Sequence, residues 1–117
     1  VTFTGSVTPQ KGFIYTPTVY SGSTTSVTID FANNSVLRAQ SATGITVSFS
    51  NYTAGKMVEM WFTNTAGNGQ TFTHGVSATN STTGSTTYNI TSGATILARY
   101  FCIDGTLANT FCAIVHA

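Results

Sequence analysis

The stretch that decides the fold is Lys56-Met57-Val58-Glu59-Met60-Trp61-Phe62-Thr63. It holds the only tryptophan, the only glutamate and both methionines of the chain. With a period of two, Val58, Met60 and Phe62 point one way, and Met57, Glu59, Trp61 and Thr63 the other. Strand side chains alternate between the faces of a sheet, so the first set is core and the second a more polar face. Ala54-Gly55 before it and Asn64-Thr65-Ala66-Gly67-Asn68-Gly69 after it are turn signals. The stretch therefore predicts a central strand on which the flanking segments pack.

Working outward, the same alternation recurs. Val27, Ile29 and Phe31 alternate with Ser26, Thr28 and Asp30; Ile45, Val47 and Phe49 alternate with Thr46, Ser48 and Ser50. Short strands are expected over Ser35–Gln40, over Thr71–His74 and at Tyr88–Ile90. Residues 94–103 form a long apolar strand with Leu97, Phe101 and Ile103 on one side and Ile96, Tyr100 and Cys102 on the other, which implies cover on both faces. A final hairpin strand runs from Phe111 to His116. Gly or Asn marks nearly every junction, and no helical period is present. The expectation is an all-β, antiparallel sandwich of jelly-roll type with about eight strands. Residues 1–22, with Pro9 and Pro17 among aromatics, read as an extended arm or edge strand, and residues 23–117 as the sandwich domain.

Composition bounds the function. A chain of 117 residues is one domain and buries roughly two-thirds of its unfolded surface without metals or many disulfides. Thr, Ser, Asn and Gly make up nearly half of it, against four basic and three acidic residues. Hydroxyls and amides do the solvating, and β-branched threonine suits a pleated surface. Lys11, Arg38, Lys56 and Arg99 are scattered at a net charge of +1, so no basic stripe supports nucleic-acid binding. No apolar run reaches the ~18 residues of a spanning helix, so no membrane insertion is expected. Residues 1–5 carry neither a basic nor an apolar leader segment, so no signal peptide is expected there.

Chemistry-bearing residues are few. The acids are Asp30, Glu59 and Asp104; none sits in a carboxylate-pair motif, and Asp104-Gly105 is a turn signal. No serine elbow, phosphate-cradling loop or HExxH motif occurs. His74 and His116 lack the short spacing of a zinc site, so no metal or cofactor is expected. Cys102 and Cys112 face each other across the last hairpin if its loop is about five residues, and do not if Asp104-Gly105 is a two-residue turn. Both alternatives stand, and reduced, buried thiols are favoured over a disulfide. Sequons at Asn33, Asn51, Asn80 and Asn89 matter only in a eukaryotic secretory pathway. Ser77 to Thr87 is a polar surface loop, with a short edge strand at most, and loops on a rigid sheet carry recognition.

From Ser26 onward the order of elements resembles β-domains of tailed-phage virion proteins. The segments that carry the likeness are Val-Thr-Ile-Asp-Phe-Ala-Asn-Asn-Ser-Val-Leu-Arg (27–38), Gly-Ile-Thr-Val-Ser-Phe-Ser-Asn-Tyr-Thr-Ala-Gly-Lys (44–56), Glu-Met-Trp-Phe-Thr-Asn (59–64), Thr-Phe-Thr-His-Gly-Val (71–76), Ile-Thr-Ser-Gly (90–93) and Ile-Asp-Gly-Thr (103–106). Tail-fibre and receptor-binding modules and small capsid-surface proteins look similar. The likeness covers about three-quarters of the chain, and it consists of strand and turn punctuation. It offers no catalytic residues. It implies a non-enzymatic virion-surface protein, assembled in the host cytoplasm. The leading expectation is a homotrimeric module of a tail fibre or receptor-binding protein, in contact with other virion proteins and with a host surface glycan. A capsid decoration protein that uses residues 1–22 as a clasp is the alternative, and a carbohydrate-binding module the third. Phe13, Tyr15, Trp61 and Tyr100 would bury between chains or under the arm. The recognition loops would lie at Asn64–Gln70 and Ser77–Thr87, with Asn64, Asn68, Gln70, Thr79, Asn80 and Thr83 as contacts.

Overall fold

The computed structural model describes residues 18–20 and 25–116. The strands are β1 (Thr18–Tyr20), β2 (Ser26–Asp30), β3 (Val36–Ser41), β4 (Ile45–Ser50), β5 (Lys56–Asn64), β6 (Gln70–Thr73), β7 (Thr87–Ile90), β8 (Thr95–Cys102) and β9 (Thr110–His116). Two single 3-10 turns, Ala78–Asn80 and Leu107–Asn109, complete the described elements, and none is an α-helix. The strands form a five-stranded sheet, β1-β3-β5-β8-β9, and a four-stranded sheet, β2-β4-β6-β7. The expected all-β sandwich forms, and β5 lies at the centre of the larger sheet.

The sheets are mixed, where antiparallel jelly-roll pairing was expected. From β1 to β6 the chain alternates between the sheets, so each strand returns beside the one two earlier and runs parallel to it: β1/β3, β2/β4, β3/β5 and β4/β6. Only β6/β7, β5/β8 and β8/β9 are antiparallel. Parallel neighbours need a crossover, usually a helix. Here a strand of the opposite sheet serves, and the N-terminal half is a two-sheet coil. The short links that read as hairpin turns are corners from one sheet to the other. Asp30 builds one of them: its carboxylate accepts bonds from the Ala32 amide at 2.9 Å and from the Asn33 and Asn51 side chains at 2.7 and 3.1 Å.

The core lies between the sheets. Val27, Ile29, Phe31, Ile45, Val47, Phe72 and Ile90 face Leu37, Val58, Met60, Phe62, Ile96 and Tyr100. Phe62 and Phe72 stack across the sandwich at 5.8 Å, and Phe49 meets Tyr100 edge-on at 5.3 Å. Losing such a buried ring costs about 3–5 kcal/mol. The expected inward set of β5 is the buried set.

The last hairpin resolves the cysteines. Its loop runs from residue 103 to 109, longer than either length considered from sequence. Tyr100 pairs with Cys112 and Cys102 with Thr110, so the cysteines are diagonal neighbours. Diagonal neighbours lie roughly 7–8 Å apart, and their Cβ atoms, though somewhat closer, stay beyond the ~3.8 Å a disulfide needs. Both thiols are free and buried.

Candidate functional site

The outer faces of the two sheets differ in chemistry, and that follows from which residues alternate with the core. On the four-stranded sheet the outward residues are Ser26, Thr28, Thr46, Ser48, Thr71, Thr87 and Asn89, all exposed. Thr28 and Ser48 join hydroxyls at 3.1 Å. This face is solvated throughout.

The outer face of the five-stranded sheet is apolar with charges set into it. One row crosses all five strands: Val19, Arg38, Trp61, Leu97 and Val115 are successive register partners. The next row is Val36, Glu59, Arg99 and Ala113, and the third is Met57, Phe101 and Phe111. Val19, Met57, Trp61, Phe101, Phe111 and Val115 are exposed to between 36% and 64%. Scattered exposed apolar residues are ordinary, but rows of them on one sheet face are less so. Glu59 and Arg99 pair at 3.3 Å between the apolar rows. Both are substantially exposed, so the pair adds at most about 1 kcal/mol to stability, and its effect is to keep charge on the face.

Two shallow grooves cross this face. One, of about 320 Å³, runs along Trp61 past Val36, Arg38, Thr63 and Thr95. The other, of about 350 Å³, lies between the Phe101–Phe111 row and residues 79–82 of the polar tract. That tract is more than a loop. Ser81 bridges to Cys112, the Thr82 amide donates to the Cys112 carbonyl at 3.1 Å, and the Ile114 amide donates to the Thr82 hydroxyl at 3.0 Å. Asn80 donates to the carbonyls of Ala108 and Thr110 at 2.9 and 3.1 Å. The tract thus covers the outer edge of β9, and its side chains are held in place by main chain.

The residues singled out from sequence divide accordingly. Trp61 stands on the exposed apolar face. Tyr100, named as an interface or arm contact, is fully buried in the core instead, and its hydroxyl donates to the His74 carbonyl at 2.9 Å. An even-numbered residue of β8 faces inward, as Ile96 does, so Tyr100 presents nothing to a partner. Phe13, Tyr15 and all of the arm except Thr18–Tyr20 lie outside the described residues. Asn64, named as a loop contact, is fully buried: its amide donates to Asn68 and Ile90 carbonyls, each at 2.9 Å, and accepts from the Ala66 amide at 2.9 Å. It pins the Thr65–Gly69 corner. Asn68 is exposed, and Gln70 donates to it at 2.8 Å. Thr79 is exposed, whereas Asn80 and Thr83 are half-buried, Asn80 bonded to the Ala108 and Thr110 carbonyls and Thr83 to the Ser85 carbonyl within the tract. Phe101, Phe111, Arg99 and Thr82 are the surface residues that the sequence reading passed over. The cue for Phe101 and Phe111 was their odd-numbered place on strands whose even face is core.

The reactive groups are engaged structurally. Hydrogen bonds from the Asn33 and Asn51 side chains hold the Asp30 carboxyl below its ordinary value. The Thr106 and Asn109 side chains do the same for Asp104, at 2.6 and 2.7 Å. Burial pushes the Cys112 thiol up to about 12, which keeps it protonated and unreactive. Burial likewise raises the Tyr100 hydroxyl well above its ordinary value. Among the described residues no three His, Cys, Asp or Glu side chains converge into a metal-holding group, and no helix is long and apolar enough to cross a membrane. Comparisons with family models, with curated proteins and with solved structures find no match to this chain.

Proposed function

We propose that this chain is a non-enzymatic structural module of a phage virion surface, a homotrimeric β-sandwich of a tail fibre or receptor-binding protein. The observation that carries the reading is the apolar outer face of the five-stranded sheet, set against a hydroxyl face on the other side. The five strands, of three, six, nine, eight and seven residues, cover roughly 500 Å² at ~4.8 Å between strands and ~3.3 Å per residue. That is within a factor of two of the ~800 Å² each partner contributes to a standard interface. Trp61, between Arg38 and Leu97 in the row, is the anchor, because one rigid ring removes a large area from water at small entropic cost. The face carries both signs of charge, so a copied chain can set its Glu59 against Arg38 of the next.

Repetition then supplies attachment: three copies raise avidity without a strong single contact. The engagement of both aspartates in turns and of Cys112 as a protonated thiol supports a scaffold over a catalyst. Pairing of Thr18–Tyr20 with the chain's own β3 supports the fibre reading over a capsid clasp. Sedimentation or light scattering at micromolar concentration tests this. A trimer that Trp61→Lys converts to monomer is expected, and a wild-type monomer overturns the reading.

A further inference from the structure

The groove beside the polar tract has the chemistry of a sugar site. Its floor is Phe101 and Phe111, opposite each other on β8 and β9, with Met57 in the same row. Its wall is Asn80 and Thr82, and Arg99 lines it as the one charged residue. A saccharide ring has an apolar C–H face and a rim of hydroxyls, and it fits a site with an aromatic floor and a polar wall. The wall is preorganised. Both amide hydrogens of Asn80 are spent on main-chain carbonyls, which leaves its Oδ1 to accept. The Thr82 hydroxyl accepts from the Ile114 amide, which leaves its proton to donate. Side chains fixed in this way lose little entropy on binding. The volume of about 350 Å³ lies within the range of small-ligand clefts.

Arg99 narrows the ligand class. Glu59 meets it through Nε, which leaves the two terminal guanidinium nitrogens, on a side chain half exposed, for another partner. A planar guanidinium edge matches a planar carboxylate in two parallel bonds. We propose that this groove binds a carboxylated saccharide, with a sugar ring over Phe101 and Phe111, hydroxyls on Asn80 and Thr82, and the carboxylate on Arg99. The proposal deepens the attachment reading, on which its role as a receptor contact rests, and it places the trimer contact at the Trp61 end of the face, two outward register pairs from the Met57–Phe101–Phe111 row that stays open; the binding itself stands on the groove alone. An acidic peptide fits less well, because the shallow floor encloses no side chain and the wall suits hydroxyls.

The test is a ¹H–¹⁵N NMR titration of the full chain with tetragalacturonate, with its methyl ester and with a short poly-glutamate peptide. The expected result is shifts at Thr79–Thr82, Arg99, Phe101 and Phe111 with tetragalacturonate, and binding weakened roughly tenfold by Arg99→Met, by Phe111→Leu and by esterification. The leucine keeps an apolar side chain on the sheet, so the fold survives loss of the ring. No shift at the groove up to roughly 10 mM ligand, equal binding of the ester, or equal binding of poly-glutamate at the same residues overturns the proposal. Light scattering on the same sample separates the two ideas: a monomer that binds removes the trimer and keeps the groove, and a trimer that does not bind does the reverse.

Discussion

Gly75 occupies a place that any side chain would strain. Its φ is +88°, and a Cβ there would meet the Val47 carbonyl oxygen at 2.5 Å and the Phe49 ring at 2.9 Å. Backbone strain and overlap with main chain act together, so Gly75→Ala should cost roughly 2–3 kcal/mol and lower Tm by roughly 10 °C in a calorimetric scan. Next to it, the buried His74 ring bonds to the Ser85 carbonyl through Nε2 and accepts the Val76 amide at Nδ1, 3.3 Å away. Tyr100 holds the carbonyl of the same residue. Three adjacent residues thus fasten the start of the polar tract to the core. Tyr100→Phe leaves that carbonyl buried without its donor and should cost about 1–2 kcal/mol by urea unfolding. The two aspartates give a pH dependence of definite sign. Both carboxyls titrate below their ordinary value of 3.8 in the folded chain. The stability they add is present above that value and is lost as pH falls through the lower, folded one. Urea midpoints measured from about pH 6 down to about pH 2.5 should fall in the acid range, and the double variant Asp30→Asn, Asp104→Asn should flatten much of that slope.

At the scale of elements, the unpaired groups along β9 are the feature the fold has to manage. An open strand edge is a template for pairing with another chain. Here the Ser81 bridge, the Thr82 amide and the Thr82 hydroxyl take up the edge between Cys112 and Ile114. Thr82→Val keeps the shape and removes the acceptor of the Ile114 amide. It should cost about 1 kcal/mol and speed hydrogen exchange at Ile114 while leaving Val58, Met60 and Phe62 on β5 protected. Unchanged exchange at Ile114 would mean that the tract merely lies against the strand. Nothing in the composition of Ser77 to Thr87 distinguishes an edge cover from a free loop. The difference lies in where β9 ends up, which is a tertiary fact. The inward set of β5, Val58-Met60-Phe62, was legible because a period of two fixes which residues share a face whatever the strand direction. For the same reason Tyr100 could not be assigned by its chemistry: its amphipathic ring suits an interface, and only the even register of β8 sends it inward. The polar signature of Asn64 likewise read as surface, whereas a buried amide with three main-chain partners serves as a corner.

Across the whole molecule, strand direction was the part the sequence left undetermined. Links such as Ala32-Asn33-Asn34 carry turn chemistry whether the chain folds back along one sheet or crosses to the other. The choice depends on burial of both apolar faces at once, and the coil from β1 to β6 achieves it without a helix. The result is a body with two unlike outer surfaces, a hydroxyl face and an apolar face with three charges among its rows. If the apolar face joins copies of the chain, substitutions of the same kind should act differently on the two sides. Trp61→Lys places a charge at the centre of the proposed contact and should shift the sedimentation profile to the monomer. Thr46→Lys places the same charge on the hydroxyl face, where the exposed side chain costs within about 0.5 kcal/mol, and should leave both assembly and Tm unchanged. A trimer disrupted by Thr46→Lys and indifferent to Trp61→Lys would move the interface to the four-stranded sheet.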